Sequence, residues 1–271
     1  MPVIIMLVIQ RQTCLDRPSA FWVRWRLSTY LAKYWFEVSA QGLLRGVTSR
    51  PSLAMPGQSC PYFGFMGRTP AHPFPQSKLH MPYISVEKHL PGITGLLEYR
   101  KETAAPIRDL TQLLLRGPST LTEGERELIA TVVSHRNQCR FCTTAHKAAT
   151  DLLYGECETS EVARQDIEST PVSEKMRALL NIAALVQQGG KNVTTEAVSR
   201  ARDAGATDLE IHDTVLIAAL FCLYNRYVDG LATVAPADPA YYEQLGARLV
   251  KHGYQRMPQV YEQLKKEMNT H

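Results

Sequence analysis

The sequence contains no run of about 18 apolar residues, the length that a membrane-spanning helix needs. It also has no stretch of alternating apolar and polar residues that is long enough to form a strand, so no half-buried β-strand is predicted. Pairs of cysteines or histidines at the spacing of metal ligands are scarce as well. Cys139 and Cys142 form the only CxxC pair, and no CxxH or HxxH pair exists. We therefore expect a helical protein that does not span a membrane and lacks the second ligand pair of a structural zinc site.

Acidic residues are nearly absent from the first 80 positions, which contain nine lysines and arginines but only two acids, Asp16 and Glu37. The same segment contains all three tryptophans and half of the sixteen prolines. Prolines at this density disfavour helices and central strands, so residues 1–80 are predicted to form an irregular N-terminal extension. We expect translation to start at Met81, with an Arg-rich organellar leader as the alternative.

The remaining residues, 81–271, have a net charge of −3, because the whole chain has +4 and the first 80 residues have +7. This balance gives no reason to expect nucleic-acid binding. The six cysteines are scattered, unlike those of a small secreted protein, and no basic residue precedes the apolar start of the chain. We therefore expect a cytoplasmic protein, or an organellar one if residues 1–80 are a leader.

Residues 81–271 are predicted to form one all-α domain. Two capping boxes, Thr122 with Glu125 and Thr207 with Glu210, mark helix starts, and glycine or proline marks several helix ends. The predicted helices span residues 91–99, 103–115, 122–136, 139–153, 173–188, 194–204, 207–229, 239–252 and 258–268. The apolar side of the second is predicted to contain Ile107, Leu110, Leu113 and Leu114. The buried face of the third is predicted to contain Leu128, Ile129, Val132 and Val133.

Two thiols and an imidazole follow one another at Cys139, Cys142 and His146. If a helix begins at Cys139, its rotation of about 100° per residue places the three side chains within roughly 60° of one another. Two thiols separated by two residues can cycle between dithiol and disulfide. A nearby base and a helix N-terminus favour the thiolate, which is the reactive form. The spacing therefore predicts thiol redox chemistry on a helix.

Other interpretations of the same residues stay open at this point. Zinc could bind the two cysteines and His146, with Cys157 as a fourth ligand, although no second ligand pair is present. The pair could also form a static disulfide, or remain two inert buried thiols. A thioredoxin-like site is disfavoured, because the residues before Cys139 have helical rather than strand periodicity.

The pattern Glu127-x11-Cys139-x2-Cys142-x3-His146 resembles the active-site motif of the alkylhydroperoxidase D-like proteins, within the carboxymuconolactone decarboxylase superfamily. The resemblance covers roughly Met81 to the C-terminus and includes the segment YNRYVDGLAT at residues 224–233. It implies a compact helical fold, with Glu127 as the orienting or proton-relaying partner of His146. One position departs from the best-known members, which have a second histidine between the cysteines where this chain has Phe141.

The resemblance implies a thiol peroxidase that reduces hydrogen peroxide or organic hydroperoxides without metal or haem. Cys142 is the predicted peroxidatic cysteine, because His146 lies one helical turn away as a base. Cys139, predicted to be exposed at the helix start, would resolve the sulfenic acid as a disulfide and meet the reductant. An external dithiol, such as a lipoyl group or a thioredoxin-like protein, would regenerate the pair.

Two other functions remain as alternatives. The superfamily includes carboxymuconolactone decarboxylases, which do not depend on a CxxC pair. A redox-sensing or interaction protein with negligible turnover would contain the same residues.

A homo-oligomer is also predicted, with an active site that depends on the assembly. The helices at 173–188 and 207–229 have apolar residues around most of their circumference, and large exposed apolar patches usually mark interfaces. The resembling family is oligomeric as well.

Overall fold

The computed structural model describes residues 81–269, so the extension predicted for residues 1–80 lies outside the described part of the chain. Within residues 81–269 the structure contains ten α-helices, one short 3₁₀ turn and no strand. The helices are α1 (Ile93–Tyr99), α2 (Lys101–Arg116), α3 (Glu123–Arg136), α4 (Arg140–Tyr154), α5 (Glu158–Gln165), α6 (Glu174–Gln188), α7 (Thr195–Asp203), α8 (Asp208–Gly230), α9 (Pro239–His252) and α10 (Pro258–Asn269). The predicted all-α class is therefore confirmed for this part of the chain. None of these helices is both long and apolar enough to cross a membrane.

Capping residues set the starts of the helices that surround the site. Thr122 and Thr207 each accept a hydrogen bond from a backbone N–H three residues on, and Glu125 and Glu210 close the two predicted capping boxes. Asp238 caps α9 by accepting from the Ala240 N–H, with Pro239 at the first helical position. These starts agree with the sequence because a cap is a local interaction that does not depend on the rest of the fold.

Helix α3 lies at the centre of the core and packs against α4, α6 and α8. Its residues Leu128, Ile129, Val132 and Val133 are fully buried, which confirms the predicted face. Glu127 on the same helix is fully buried as well. A carboxylate at this depth must be paired, since an isolated buried charge is strongly unfavourable. The fold therefore places one charged group of α3 inside the protein, next to α4.

The predicted apolar side of α2 is partly wrong. Leu110 and Leu113 are 36% and 62% exposed, whereas Arg108 and Thr111 are buried. These two polar residues are inside because they have partners: Arg108 donates to Glu98 at 2.8 Å, and the Thr111 hydroxyl lies 2.5 Å from that of Tyr224. A prediction based on apolar periodicity counts such residues as exposed.

The existence of α5 and the exposure of the apolar residues on α6 and α8 also differ from the predictions. Helix α5 was not predicted, because only one of its buried residues, Ala163, is apolar. The apolar residues of α6 are largely covered within the single chain. Helix α8, predicted to be buried around most of its circumference, leaves Leu209 and Leu223 58% and 45% exposed.

The turn between α3 and α4 fixes where the thiols begin. Gln138 adopts a left-handed conformation with φ of 60°, and Cys139 becomes the extended N-cap residue of α4. The Cys139 N–H donates to the Ser134 carbonyl at 3.1 Å. The side chain of Asn225 on α8 contacts both sides of this turn, since its amide donates to Ser134 Oγ at 3.1 Å and its oxygen accepts from Asn137 at 2.8 Å. Helix α8 therefore holds the start of α4 in place.

Candidate functional site

Both cysteines of the CxxC pair are free thiols, and both are buried. Cys139 is fully buried and Cys142 is 2% exposed, so the prediction of an exposed Cys139 is wrong. The reason is tertiary packing, because the start of α4 lies against Val228 at the end of α8 and Tyr242 on α9. The hydrogen bond to the Cys142 thiol, together with burial, raises the pKa of the Cys139 thiol.

A cavity of about 90 Å³ lies beside Cys142 and opens to solvent. Cys142 and His146 line it, whereas Cys139 does not. Most of the wall is apolar, and the polar groups come from arginine, tyrosine, glutamine and threonine side chains. The structure therefore gives the two cysteines different surroundings: one faces a space that a small molecule can enter, and the other lies behind it.

His146 is anchored through its Nδ1 atom, which lies 2.8 Å from Oε2 of Glu127. The imidazole packs edge-on against Phe221 at a centroid distance of 4.5 Å and is nearly parallel to the Tyr254 ring at 6.1 Å. An ionised carboxylate only accepts hydrogen bonds, so Nδ1 must be the donor in this pair. The other nitrogen, Nε2, is then available to a group in the cavity that His146 lines.

The second oxygen of Glu127 is satisfied by two further side chains. Arg116, at the end of α2, donates to Oε1 at 2.5 Å, and the Tyr254 hydroxyl donates to the same oxygen. The guanidinium also donates to the Leu249 carbonyl at 3.2 Å and lies 5.1 Å from the centre of the Tyr254 ring. This paired arrangement is what permits a fully buried carboxylate, because burial without partners would neutralise it.

Hydrogen bonds and neighbouring charges shift the pKa values of Glu127 and Tyr254 in this network. Burial by itself raises the pKa of Glu127, but the hydrogen bond from His146 and the charge of Arg116 outweigh it and hold that pKa below its ordinary value. Burial and the Glu127 carboxylate raise the pKa of Tyr254 well above its usual range. Glu127 is therefore a permanent acceptor and Tyr254 a permanent donor near neutral pH.

The structure places the predicted residues Cys142 and His146 on one cavity wall, with Glu127 bonded to His146 and Cys139 next to Cys142, both outside the lining. Arg116 and Tyr254 complete this cluster but were not among the predicted residues. Arg116 stands just before Gly117-Pro118, a position that indicates a helix end and nothing more. Tyr254 lies 108 positions after His146, so only the tertiary fold brings it to the site.

No group of three or more histidine, cysteine or acidic residues within residues 81–269 is arranged to hold a metal ion. The ring of His146 contacts Glu127, Tyr254 and Phe221. The zinc interpretation of the CxxC pair therefore finds no support in this part of the chain.

Comparison with known proteins finds a similarity in the segment that contains this site. The model of the carboxymuconolactone decarboxylase family matches residues 101–152, a segment that includes Glu127, both cysteines and His146. No curated protein matches the chain.

Several solved structures share the fold, including the following two. One is an uncharacterized peroxidase-related protein from Silicibacter sp. TM1040, which is 26% identical with a TM-score of 0.52 over 56% of this chain and 78% of that one. The other, from Ralstonia eutropha JMP134, is described as an alkylhydroperoxidase AhpD core and an uncharacterized peroxidase-related protein. It is 24% identical with a TM-score of 0.52 over 58% of this chain and 80% of that one. The chain therefore resembles the carboxymuconolactone decarboxylase family over residues 101–152 and shares its fold with these peroxidase-related proteins.

Proposed function

We propose that this protein is a thiol-dependent peroxidase in which Cys142 reacts with hydrogen peroxide or an organic hydroperoxide. The observation on which this depends is that Cys142 and His146 line the same cavity, while Glu127 holds His146 through the Nδ1 atom of its ring. A base one helical turn from a thiol can take its proton, and a carboxylate behind the base keeps the ring in the orientation that this requires. The peroxidase-related description of both structural neighbours supports the same activity.

In the proposed reaction, His146 Nε2 accepts the proton of Cys142, and the thiolate attacks one oxygen of the peroxide. The O–O bond breaks, Cys142 becomes a sulfenic acid, and the other oxygen takes the proton and leaves as water or an alcohol. The Cys139 thiol then condenses with the sulfenic acid to form a disulfide and release water. The raised pKa of Cys139 supports this division of labour, because a protonated thiol is a poor first nucleophile.

An external dithiol would complete the cycle by reducing the disulfide, so the proposal needs no bound metal or haem. Because Cys139 is fully buried, the reductant must reach the disulfide from the cavity side, at Cys142. A slender dithiol such as a lipoyl group suits this route better than a folded protein does. A thioredoxin-like protein would need the start of α4 to move outward first.

The proposal includes a homo-oligomer. Leu209 and Leu223 are the exposed leucines of α8, and Leu216, which is half-buried, lies midway between them. Residues seven apart on a helix differ by only about 20° in direction, so the three form one apolar stripe. A second copy of this chain is the partner that we propose for it, since symmetric contacts are the commonest way to cover such a surface.

The proposed activity is tested by adding hydrogen peroxide to the reduced protein and mapping its thiols by mass spectrometry. We expect Cys139 and Cys142 to be lost together as one disulfide, and lipoamide or thioredoxin with its reductase to restore them with turnover. Replacing either cysteine with serine should abolish turnover. Turnover that survives both substitutions would exclude the redox function. Disulfide formation without turnover by any dithiol would instead indicate a redox sensor.

A further inference from the structure

The cavity beside Cys142 is lined by positively charged groups. Arg108 on α2 and Arg248 on α9 both line it, and no aspartate, glutamate or lysine among residues 81–269 does. The rest of the wall is mostly apolar and includes Leu97, Leu245 and Met257. An apolar chamber whose charged groups are guanidiniums is a poor match for a cationic molecule and a good match for an organic anion.

The charge of Arg108 is only partly compensated. Arg108 is 7% exposed and donates to Oε1 of Glu98 at 2.8 Å, while Arg256 donates to the other oxygen of Glu98 at 2.7 Å. Burial raises the pKa of Glu98, but hydrogen bonds from the two arginines outweigh it and hold that pKa below its ordinary value. One carboxylate is therefore shared by two guanidinium groups, which leaves one positive charge in excess at this end of the cavity.

Arg248 has no carboxylate partner among residues 81–269. Its polar neighbour is the hydroxyl of Tyr241, and burial raises the pKa of Tyr241 to about 12, so this phenol is neutral near neutral pH. Glu127, which lies behind His146, is already paired with Arg116. Arg248 is therefore the guanidinium of the wall whose charge is not compensated by the protein.

We propose that the cavity takes organic hydroperoxides that contain a carboxylate, with Arg248 binding the carboxylate and the apolar wall packing against the hydrocarbon body. This inference rests on the proposed peroxidase function and assigns its substrate class. A planar guanidinium binds a carboxylate through two parallel hydrogen bonds, and the low-polarity wall strengthens them relative to bulk water. A peroxide at the other end of the same molecule then faces Cys142 and His146.

The experiment compares two substrates that differ in one negative charge and one methyl group: the para-carboxyl derivative of cumene hydroperoxide and its methyl ester. We expect kcat/KM for the acid to exceed that for the ester by about tenfold or more, the size expected for a hydrogen bond between charged groups. In Arg248→Gln this preference should disappear, mainly through a higher KM for the acid. Equal rates for acid and ester in the unmodified protein, or a preference that persists in Arg248→Gln, would overturn the proposal.

The matched control is Lys251→Gln, which removes a positive charge from the same helix without changing the cavity wall. We expect it to keep the preference for the acid. If Lys251→Gln reduces the preference as much as Arg248→Gln does, the effect is general attraction by a basic surface and the assigned contact is wrong.

A binding measurement separates this proposal from the peroxidase function itself. Para-isopropylbenzoate keeps the carboxylate and the hydrocarbon body but has no peroxide, so calorimetry can measure its binding to the reduced protein without turnover. Binding that is lost in Arg248→Gln supports the carboxylate site even if no hydroperoxide is consumed, in which case only the proposed activity fails. No binding to the unmodified protein would overturn the site.

Discussion

At the scale of single residues, the charge of Glu127 is the feature on which the site depends. Its carboxylate is fully buried, contacts His146 through one oxygen and accepts from Arg116 and Tyr254 through the other. A buried carboxylate that loses its cationic partner has no water to replace it, so each member of this network stabilises the others.

We expect Arg116→Met to lower the free energy of unfolding by about 3–5 kcal/mol, because it leaves Glu127 buried without its cation. The matched control is Arg202→Met, which breaks an ion pair with Asp208 in which both side chains are more than half exposed. Such surface pairs contribute about 0–1 kcal/mol. Urea unfolding of both variants checks the difference. Similar losses in the two would show that the Arg116–Glu127 pair is not stabilising.

The pH dependence of stability follows from the lowered pKa of Glu127. Its pKa in the folded protein lies below the ordinary value of 4.5, so the stabilising contribution is complete above that value and is lost as the pH falls through the folded pKa. The variant Glu127→Gln should lack this part of the stability that the unmodified protein loses at low pH. Unfolding midpoints between about pH 6 and pH 3 measure it. The control is Glu243→Gln, which removes an exposed carboxylate from α9 and should keep the slope of the unmodified protein.

Site residues that lie close together along the chain were predictable from the sequence. Site residues that only the tertiary fold brings together were not. Glu127, Cys142 and His146 lie on neighbouring helices within 20 residues, so their spacing along the chain is enough to identify the motif. Tyr254 and Arg116 lie outside that motif, and only the tertiary fold brings their side chains to Glu127. The burial of Cys139 also could not be predicted, because it results from packing against α8 and α9.

At the scale of elements, the close contact between α4 and α9 keeps the cavity wall next to the reactive thiol. Gly246 on α9 faces Ala148 on α4, and a Cβ atom added at this glycine would lie 2.8 Å from the Ala148 Cβ and 2.9 Å from its carbonyl carbon. Capping boxes and helix-ending glycines were predictable because they act locally. The contact between Gly246 and Ala148 was not predictable, since nothing in the sequence indicates which helix a glycine inside another helix faces.

We expect Gly246→Ala to destabilise the protein by about 1–3 kcal/mol, because the backbone of α4 cannot give way and α9 must move. Peroxide turnover should fall with it, since α9 supplies the Leu249 carbonyl that accepts from Arg116. Gly230→Ala is the control, because Gly230 is the last residue of α8 and a Cβ added there meets no atom within 4 Å. Unfolding free energies and turnover of both variants test the contact. An active, fully stable Gly246→Ala would contradict it.

At the scale of the whole molecule, the stripe of Leu209, Leu216 and Leu223 on α8 predicts a homo-oligomer. Light scattering should give at least twice the mass of one 30.4 kDa chain. Leu223→Glu should reduce that mass and lower turnover, because α8 also holds the turn before Cys139 through Asn225. Leu113→Glu, at an exposed leucine on α2, should keep both. A fully active monomer would contradict the prediction.

The most direct measurement is the site at which peroxide first oxidises the protein. Cys139→Ser should be treated with one equivalent of peroxide in the presence of dimedone, and the adduct located by mass spectrometry. We expect a sulfenic acid at Cys142, formed more slowly in the double variant that also contains His146→Ala. An adduct found only at Cys139 in Cys142→Ser, with none at Cys142, would contradict the assignment of Cys142 and His146 as the peroxide-reducing pair.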